Sequence, residues 1–157
     1  MNAIFAVNDI DGFGVDNTMP WPRSPVDLRR FRDITQGHTV VMGASTWLSD
    51  MPKPLPGRRN CVLSTTLVDD RCEVFRNITQ LMMSLQQDEK TFVIGGATVL
   101  WALRNYINKV YLTRHHCNQR ADITLNTEEY LRGFKIVQWQ QLDNLTLDTY
   151  ERVDYTQ

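Results

Sequence analysis

Hydrophobic residues along this chain fall into short runs, and each run ends at glycine, proline or a polar cluster. Runs with few polar residues are typical of strands covered on both faces of a sheet, and they occupy residues 3–7, 39–42, 61–63, 91–94 and 109–113. Shorter or more mixed runs predict further strands at residues 74–75, 134–139 and 149–155. The pattern therefore predicts about eight strands.

Helices are predicted between most of these strands. Ser24 followed by Pro25 predicts the first helix, because the serine oxygen can accept from first-turn amides and proline at the first position loses no hydrogen bond. Gly37 is a plausible stop, and further helices are predicted at residues 44–49, 78–87 and 97–104. We therefore expect one domain over residues 1–157 with an α/β fold, in which helices flank a mostly parallel central sheet with an antiparallel C-terminal edge.

One acid, Asp27, falls on the apolar side of the first predicted helix. At about 100° per residue it lies near Phe31 and Ile34, with Leu28 beside them. A carboxylate on such a stripe is costly to bury unless a polar group faces it, and such acids are common at functional sites. Ser24-x-x-Asp27 is also a capping-box pattern, in which the acid only closes the helix end. The spacing leaves both interpretations open.

The segment from residue 8 to about residue 23 is predicted to be a long loop. Loops of this length are uncommon in compact domains and are often lids or binding loops. Its tip carries Met19 and Trp21, large side chains that are costly to leave in water.

Composition narrows the possible partners. The 157 residues are 42% hydrophobic and 22% charged, with a net charge of −1, as in ordinary globular proteins. Because Lys+Arg total 17 against 18 for Asp+Glu, we expect a small-molecule partner and no nucleic acid. Three cysteines at spacings that match no zinc or redox motif fit a reducing compartment, and no apolar stretch is long enough to span a bilayer. We expect a cytoplasmic protein with no membrane contact.

Three predicted strands end in groups suited to phosphate, at residues 43–46, 64–66 and 95–98. Ligands of open α/β sheets bind beyond the carboxyl ends of the strands. Several such ends in one chain favour an extended phosphate-bearing ligand such as a dinucleotide, although neither a Rossmann fingerprint nor a P-loop is present.

Two short clusters, one basic and one similar to a metal site, each have more than one interpretation. Arg58 and Arg59 follow a proline-rich turn, which suits capture of a carboxylate by a fixed guanidinium but is also typical of a solvated basic turn. In His115-His116-Cys117 only the first and third residues share a strand face, and two ligands make no closed metal site. We expect this cluster to lie on the surface, and we expect no metal.

Taken together, the motifs resemble those of the dihydrofolate reductase family from one end of the chain to the other. The matching stretches occur in family order with family spacing: Gly14-Val15-Asp16-Asn17 with Met19-Pro20-Trp21, Asp27-Leu28-x-x-Phe31 with Thr35, Val40-Val41-Met42-Gly43 with Thr46-Trp47, Pro54-Leu55-Pro56-Gly57-Arg58-Arg59-Asn60, Leu63-Ser64, Val93-Ile94-Gly95-Gly96, and Tyr111-Leu112-Thr113.

The resemblance implies reduction of dihydrofolate to tetrahydrofolate by hydride transfer from NADPH, with antifolates as inhibitors and a monomer as the functional form. Asp27 would be the only acid of the site, binding the pterin edge and favouring protonation of the ring nitrogen electrostatically. Thr113 would be hydrogen-bonded behind Asp27, Trp21 would contact the same water network, and Met19 would belong to a lid.

The resemblance also implies the remaining site residues. The pterin and aminobenzoyl pocket would be lined by Ile4, Ala6, Leu28, Phe31, Leu55 and Ile94. Arg58 would pair with the glutamate α-carboxylate, with Arg59 as the more solvated neighbour. Cofactor-binding residues would be Ala6, Phe13, Gly14, Asn17 and Ile94 around the nicotinamide, Gly43, Thr46, Gly95, Gly96, Ala97, Thr98 and Val99 along the pyrophosphate, and Ser64, Thr65 and Arg76 at the adenosine side. The family carries a non-proline cis peptide at Gly95-Gly96.

Several positions depart from the family pattern. Ala44 and Thr98 stand where bacterial relatives commonly carry basic residues, so NADPH should bind more weakly, or be less preferred over NADH, unless Arg76 compensates. Leu100 replaces a usual tyrosine. The segment from Trp21 to Asp27 is one residue longer than in many bacterial forms, and the region near residues 50–51 holds an insertion.

Two other functions are compatible with the fold. One is the related pyrimidine reductase of riboflavin synthesis, and the other is a structural or binding descendant without catalysis. The acid at Asp27 and the loop that carries Arg58 argue against the first, since its substrate has neither a pterin nor a glutamate tail. Retention of Trp21 and Thr113 as well argues against the second.

Overall fold

The computed structural model describes residues 1–14 and 19–153. Within these residues the strands are β1 Asn2–Asn8, β2 Gly12–Gly14, β3 Thr39–Gly43, β4 Arg59–Leu63, β5 Glu73–Phe75, β6 Thr91–Gly95, β7 Lys109–His115, β8 Ile123–Thr124, β9 Phe134–Gln141 and β10 Leu145–Arg152. The helices are α1 Pro25–Thr35, α2 Ala44–Trp47, α3 Ile78–Ser84, α4 Ala97–Ala102 and α5 Thr127–Tyr130, with a 3-10 turn at Arg104–Tyr106.

Eight of these strands form one sheet in the order β5-β4-β3-β6-β1-β7-β10-β9. The six strands from β5 to β7 run parallel to their neighbours. β10 pairs antiparallel with both β7 and β9. The predicted fold is confirmed: a mostly parallel central sheet with an antiparallel C-terminal edge. Because the six parallel strands share a direction, their carboxyl ends lie along one side of the sheet, here called the carboxyl edge.

The core lies on both faces of the sheet. Val40 and Met42 of β3 pack in one buried cluster with Trp47, whereas Val41 packs in another with Leu81 and Leu100. Neighbouring residues of one strand fall in different clusters because successive side chains point to opposite faces. This explains why the predicted central strands are nearly continuous hydrophobic runs.

The structure also contains elements that the hydrophobic pattern does not predict. β2 lies inside the segment predicted to be loop and pairs antiparallel with β8, so that prediction is wrong at Gly12–Gly14. Within α5, the side chain of its N-cap residue Asn126 accepts from the Glu129 amide. These elements have two to four residues, too few for a hydrophobic period to be recognised. None of the helices in the described part of the chain is long and apolar enough to cross a membrane.

Candidate active site

A cavity of about 650 Å³ opens beside α1, the carboxyl end of β1 and the segment of residues 49–56. Its wall is mostly apolar and includes Ile4, Ala6, Phe13, Met19, Trp21, Leu28, Phe31, Leu55 and Ile94. Of these, Met19 and Leu28 have exposed fractions of 55% and 48%. An apolar wall of this size with a few polar groups is typical of a small-molecule site.

The local fold of α1 explains how Asp27 reaches this cavity. The Ser24 side chain accepts from the Asp27 amide at 3.3 Å, with Pro25 at the first helical position, as predicted. The only buried residue of α1 is Thr35. The apolar side of the helix, with Leu28 and Phe31, therefore faces the cavity rather than a closed core.

Both oxygens of the Asp27 carboxylate are engaged by β7. Thr113 Oγ1 lies 2.8 Å from Oδ1, and His115 Nε2 lies 3.3 Å from Oδ2. The acid side chain is 21% exposed, and it also lines the cavity. Its hydrogen bonds therefore distinguish between the two interpretations of the sequence: Ser24 caps the helix through the Asp27 amide, while the carboxylate turns toward β7 and the cavity.

Arg30 fixes the direction of the Thr113 hydrogen bond. One terminal nitrogen of Arg30 donates to the Leu112 carbonyl at 3.1 Å and to Thr113 Oγ1 at 3.3 Å, and the other donates to the Asp148 carbonyl at 3.1 Å. Because a guanidinium can only donate, the Thr113 hydroxyl accepts from Arg30 and gives its own hydrogen to Asp27. Burial lowers the pKa of Arg30, while the charges of Asp27 and Asp148 oppose that shift.

His115 lies in this site, so the prediction of a surface His115-His116-Cys117 cluster is wrong for its first residue. The His115 side chain is 6% exposed, and its ring stacks on Trp21 with centroids 4.3 Å apart and planes 13° apart. The sequence did contain a signal for this position. Thr113 and His115 are two residues apart on one strand, so a Thr113 side chain behind Asp27 places His115 on the same face.

The loop before α1 is attached to the end of β7. Cys117 Sγ lies 3.2 Å from the Pro20 carbonyl, two residues beyond His115. Met19 and Trp21 both face the cavity, as expected of lid residues. Asn17, predicted to contact the cofactor, lies outside the described residues.

The two neighbouring arginines have different surroundings. Arg58 lines the cavity, its Nε donates to the Pro56 carbonyl at 3.0 Å, and a terminal nitrogen donates to Thr35 Oγ1 at 3.1 Å. Burial and the nearby charge of Arg32 lower the pKa of Arg58. These contacts hold the Arg58 guanidinium at the cavity, where a carboxylate could pair with it.

Arg59 does not face the cavity and lies instead in an ion-pair network. It forms ion pairs with Glu73 at 2.6 Å and Glu89 at 2.9 Å, and it donates to the Ser84 hydroxyl at 2.6 Å. The hydrogen bonds that Arg59 donates to Glu73 raise the pKa of Arg59, and those to Glu89 add to the effect. Arg59 therefore joins β4, β5 and the segment after α3 instead of facing the cavity.

The predicted cofactor residues are distributed along the carboxyl edge. Gly43, Ser64, Arg76 and Gly95 lie at or just beyond the ends of β3, β4, β5 and β6, four adjacent strands. At about 4.8 Å between strands these ends span roughly 14 Å. Gly96, Ala97, Thr98 and Val99 lie at the start of α4, and Thr46 lies in α2. An extended ligand laid across the strand ends would meet all of these residues.

Two glycines of this edge stand at positions where another side chain would be strained. A Cβ on Gly43 would lie 2.9 Å from Cγ2 of Val99, which is itself buried in the core. Gly95 has a φ of +133°, and the peptide bond to Gly96 is cis, as the family resemblance implied.

At the end of the carboxyl edge formed by β4 and β5, Arg76 donates to the Ser64 carbonyl at 3.1 Å. Thr65 follows Ser64 directly.

The structure also changes the predicted boundary of the site. Thr113 donates to Asp27 from behind, as the resemblance implied, and it does not line the cavity; Gly14 ends β2. Asp50 and Met51, in the segment predicted to hold an insertion, line the cavity. Asp27 is therefore not the only acid at the cavity, although Asp50 is exposed. Further lining residues that the sequence did not predict are Phe5, Arg23, Ser24, Arg32, Ser49, Pro52 and Pro56.

Residues 1–14 and 19–153 contain no group of three or more His, Cys, Asp or Glu side chains placed to hold a metal ion.

Comparison with known proteins gives consistent matches. The model of the family described as dihydrofolate reductase matches residues 1–156. Dihydrofolate reductase type 9 of Escherichia coli is 31% identical over 147 residues, which cover 87% of this chain and 81% of that protein. Dihydrofolate reductase of Bacillus subtilis (strain 168) is 36% identical over 122 residues, covering 76% of this chain and 71% of that protein.

A solved structure matches the whole fold. It is dihydrofolate reductase from Enterococcus faecalis complexed with NADP(H) and RAB-propyl, with a TM-score of 0.85 over 98% of this chain and 96% of that chain. At 23% identity this match establishes the fold alone. The family match over residues 1–156, together with the two relatives, establishes more: this chain belongs to the dihydrofolate reductase family.

Proposed function

We propose that this protein reduces 7,8-dihydrofolate to 5,6,7,8-tetrahydrofolate with NADPH as the hydride donor. The observation that carries the proposal is the placement of Asp27, an acid held by Thr113 at the wall of a mostly apolar cavity. Family membership supports the same reaction.

The pocket fits both ends of a folate. Asp27 presents a carboxylate to an amidine-like pterin edge, which can donate two hydrogen bonds to it. Phe31 and Leu55 offer apolar contact to the aminobenzoyl ring. Arg58, held by Thr35 and Pro56, offers a fixed guanidinium to the glutamate carboxylate. A ribosylated pyrimidine would use neither Asp27 nor Arg58 in this way.

The carboxyl edge fits an extended dinucleotide. Gly43 lets β3 pack closely against Val99 at the start of α4, and Ser64, Thr46 and Arg76 add polar groups along the strand ends. When NADPH is bound, its reduced nicotinamide supplies the hydride. Ala6, Phe13 and Ile94 line the cavity, and the same residues are proposed to contact that ring.

The proposed role of Asp27 is electrostatic. Reduction of an imine bond adds a hydride to carbon and a proton to nitrogen, and the hydride adds readily only when the nitrogen is protonated. A carboxylate fixed in an apolar wall favours that protonation from a distance, because its field is screened less there than in water. The proton itself can arrive through water, with Trp21 and Met19 limiting access to the site.

One assay tests the function. Purified protein is mixed with NADPH and dihydrofolate, and both NADPH oxidation and tetrahydrofolate formation are followed. We expect one tetrahydrofolate for each NADPH consumed, with no oxidation when dihydrofolate is omitted. Protein that binds NADPH but produces no tetrahydrofolate would instead support a non-catalytic descendant or another reductase.

We also propose a cytoplasmic location. All three cysteines, Cys61, Cys72 and Cys117, are free thiols, which suits a reducing compartment. Fractionation of producing cells tests this point directly: the protein should be found with cytosolic markers, and recovery with secreted or envelope proteins would contradict it.

A further inference from the structure

His115 contacts the proposed catalytic acid but has no part in the function proposed so far. The His115 side chain is on the same strand face as Thr113, and each of the two side chains contacts one oxygen of the Asp27 carboxylate. Thr113 holds Oδ1 at 2.8 Å, and His115 faces Oδ2 at 3.3 Å. The carboxylate is therefore fixed at both oxygens, and one of the two partners can change its charge.

The surroundings hold the imidazole in this geometry. Trp21 stacks on the ring at 4.3 Å, and the ring is almost completely buried. Beyond His115, Cys117 Sγ donates to the Pro20 carbonyl, so the residue before Trp21 is attached to the segment that follows β7. The stack on Trp21 therefore holds the buried ring beside Asp27.

Charge distinguishes His115 from Thr113. The threonine hydroxyl is neutral at all relevant pH values, whereas an imidazole can carry either one or two ring protons. With a proton on Nε2 alone, His115 donates to Asp27 and leaves the negative charge of the acid intact. With a second proton it becomes a cation against that acid, and the pair has no net charge.

We propose that His115 is a positioning residue of this site, which holds Oδ2 of Asp27 and makes the effective charge of that acid depend on its own protonation. The proposal rests on the proposed reductase function. If Asp27 favours substrate protonation by its negative charge, an adjacent imidazolium cancels that effect. Where His115 carries its second proton, the contribution of Asp27 should therefore be weaker.

Other charged groups lie near the pair within residues 1–14 and 19–153. On α1, Arg30 donates to Thr113, and on β10 the Asp148 carbonyl accepts from Arg30. Arg23 and Arg32 line the same cavity as Asp27. Among the described residues, the titratable side chain that contacts the carboxylate is His115.

The test uses two variants and a neighbouring control. His115→Gln retains an N–H donor without a ring that titrates, and His115→Phe retains the stack on Trp21 without a donor. His116→Gln is the control, because His116 lies on the surface between Asp9 and Gln141. Single-turnover hydride transfer is measured for each protein across the pH range in which histidine ordinarily titrates.

The expected result is a change in the shape of the pH profile. On acidification from about pH 8 to about pH 5.5, the ratio of the His115→Gln rate to the wild-type rate should rise roughly tenfold. His115→Phe should lower the rate at neutral pH roughly tenfold, because Oδ2 loses its donor. His116→Gln should follow wild type throughout. A ratio for His115→Gln that stays constant with pH would overturn the proposal.

A second measurement does not need turnover. The three histidine rings of the free protein are followed by NMR during a pH titration, and the His115 signal is identified by its absence in His115→Gln. In Asp27→Asn the pH dependence of this signal should differ from that in wild type, because the carboxylate that faces Nε2 is gone. An unmoved signal would contradict the coupling. If Asp27→Asn changes the His115 signal but the wild-type protein makes no tetrahydrofolate, the contact between the two residues stands and the proposed function is rejected.

Discussion

The pterin side and the cofactor side of the proposed site are built by different means. At the pterin side Asp27, Thr113 and His115 are joined by side-chain hydrogen bonds, and Arg30 ties this group to the backbone of β7 and β10. At the cofactor side the carboxyl edge is formed by strand ends, glycines and hydroxyl groups, and Arg76 is the single cation among the predicted cofactor residues.

Because of this difference, the two sides should respond differently to amino-acid substitution. A network of side chains around one charge responds to the loss of a single atom, because a partly buried partner is left without its hydrogen bond. An edge built from backbone responds to added volume, because a new side chain displaces neighbouring elements. Substitutions on the pterin side should therefore change chemistry, and those on the cofactor side should change affinity and stability.

The largest effect among the supporting residues is expected at Thr113. Thr113→Val removes the hydroxyl that donates to Asp27 and accepts from Arg30. A hydrogen bond to a charged group contributes about 1.5–3 kcal/mol, so kcat/KM should fall roughly 10- to 100-fold. Thr113→Ser keeps the hydroxyl and should restore most of the rate. Equal activity in the valine and serine variants would show that the network does not support the acid.

The two neighbouring arginines should separate binding from stability. Arg58→Gln should raise KM for dihydrofolate roughly tenfold, because the fixed guanidinium is lost from the cavity. Arg59→Gln should leave KM unchanged and lower the free energy of unfolding by about 1–2 kcal/mol, because it removes a partly buried ion-pair network. Kinetics and urea denaturation of both variants provide the measurements. The reverse assignment of effects would contradict the site boundary.

The Arg59 network also has a pH signature in the same denaturation experiment. Burial tends to raise the pKa of Glu89, but hydrogen bonds from Thr39, the Gln86 amide and Arg59 outweigh it, so the pKa of Glu89 is lowered from the reference value of 4.5. An acid with a lowered pKa stabilises the fold above its unfolded-state value, and this contribution is lost as pH falls through the folded-state value. Wild type should therefore lose more stability below about pH 4.5 than Arg59→Gln does.

On the cofactor side, a single methyl group should be enough to disturb the edge. Gly43→Ala places a Cβ 2.9 Å from Cγ2 of Val99, which would push β3 and α4 apart. We expect a stability loss of about 1–3 kcal/mol and several-fold weaker NADPH binding. The double variant Gly43→Ala with Val99→Ala should recover part of both. Binding unchanged in the single variant would show that NADPH does not depend on this contact.

About half of the site could be predicted from the sequence, and the reason is visible in particular residues. Asp27, Phe31, Leu55 and Arg58 belong to motifs with fixed local geometry: a capped helix and a proline-stiffened turn. Their positions follow once those elements form. The predicted strand ends are also found along one edge, because parallel strands share a direction.

The missed residues depend on distant pairing. His115 reaches Asp27 across 88 positions of sequence, and Arg30 reaches the Asp148 carbonyl across 118. Neither contact has a local pattern, since each requires β7 to lie beside β1 and β10. The ion pairs of Arg59 have the same origin, because its partners Glu73 and Glu89 come from other elements. Asp50 and Met51 lie in a segment with no hydrophobic period.

The smallest expected effect concerns cofactor choice. Ala44 begins α2 at the end of β3, next to the strand end that carries Ser64. Ala44→Arg adds a cation where a nucleotide phosphate would lie, so kcat/KM for NADPH should rise about threefold relative to NADH. Ala44→Gln, of similar length without charge, is the matched control. An unchanged cofactor ratio in Ala44→Arg would mean that no phosphate lies near this position.

The account depends most on the acid of the pterin side. Asp27 and Asp50 both line the cavity, so each can be converted to asparagine with the same loss of one charge. Single-turnover hydride transfer from NADPH to dihydrofolate at neutral pH should slow by roughly 100-fold or more in Asp27→Asn and stay close to wild type in Asp50→Asn. An Asp27→Asn variant as fast as wild type, or equal losses in the two variants, would contradict the central claim.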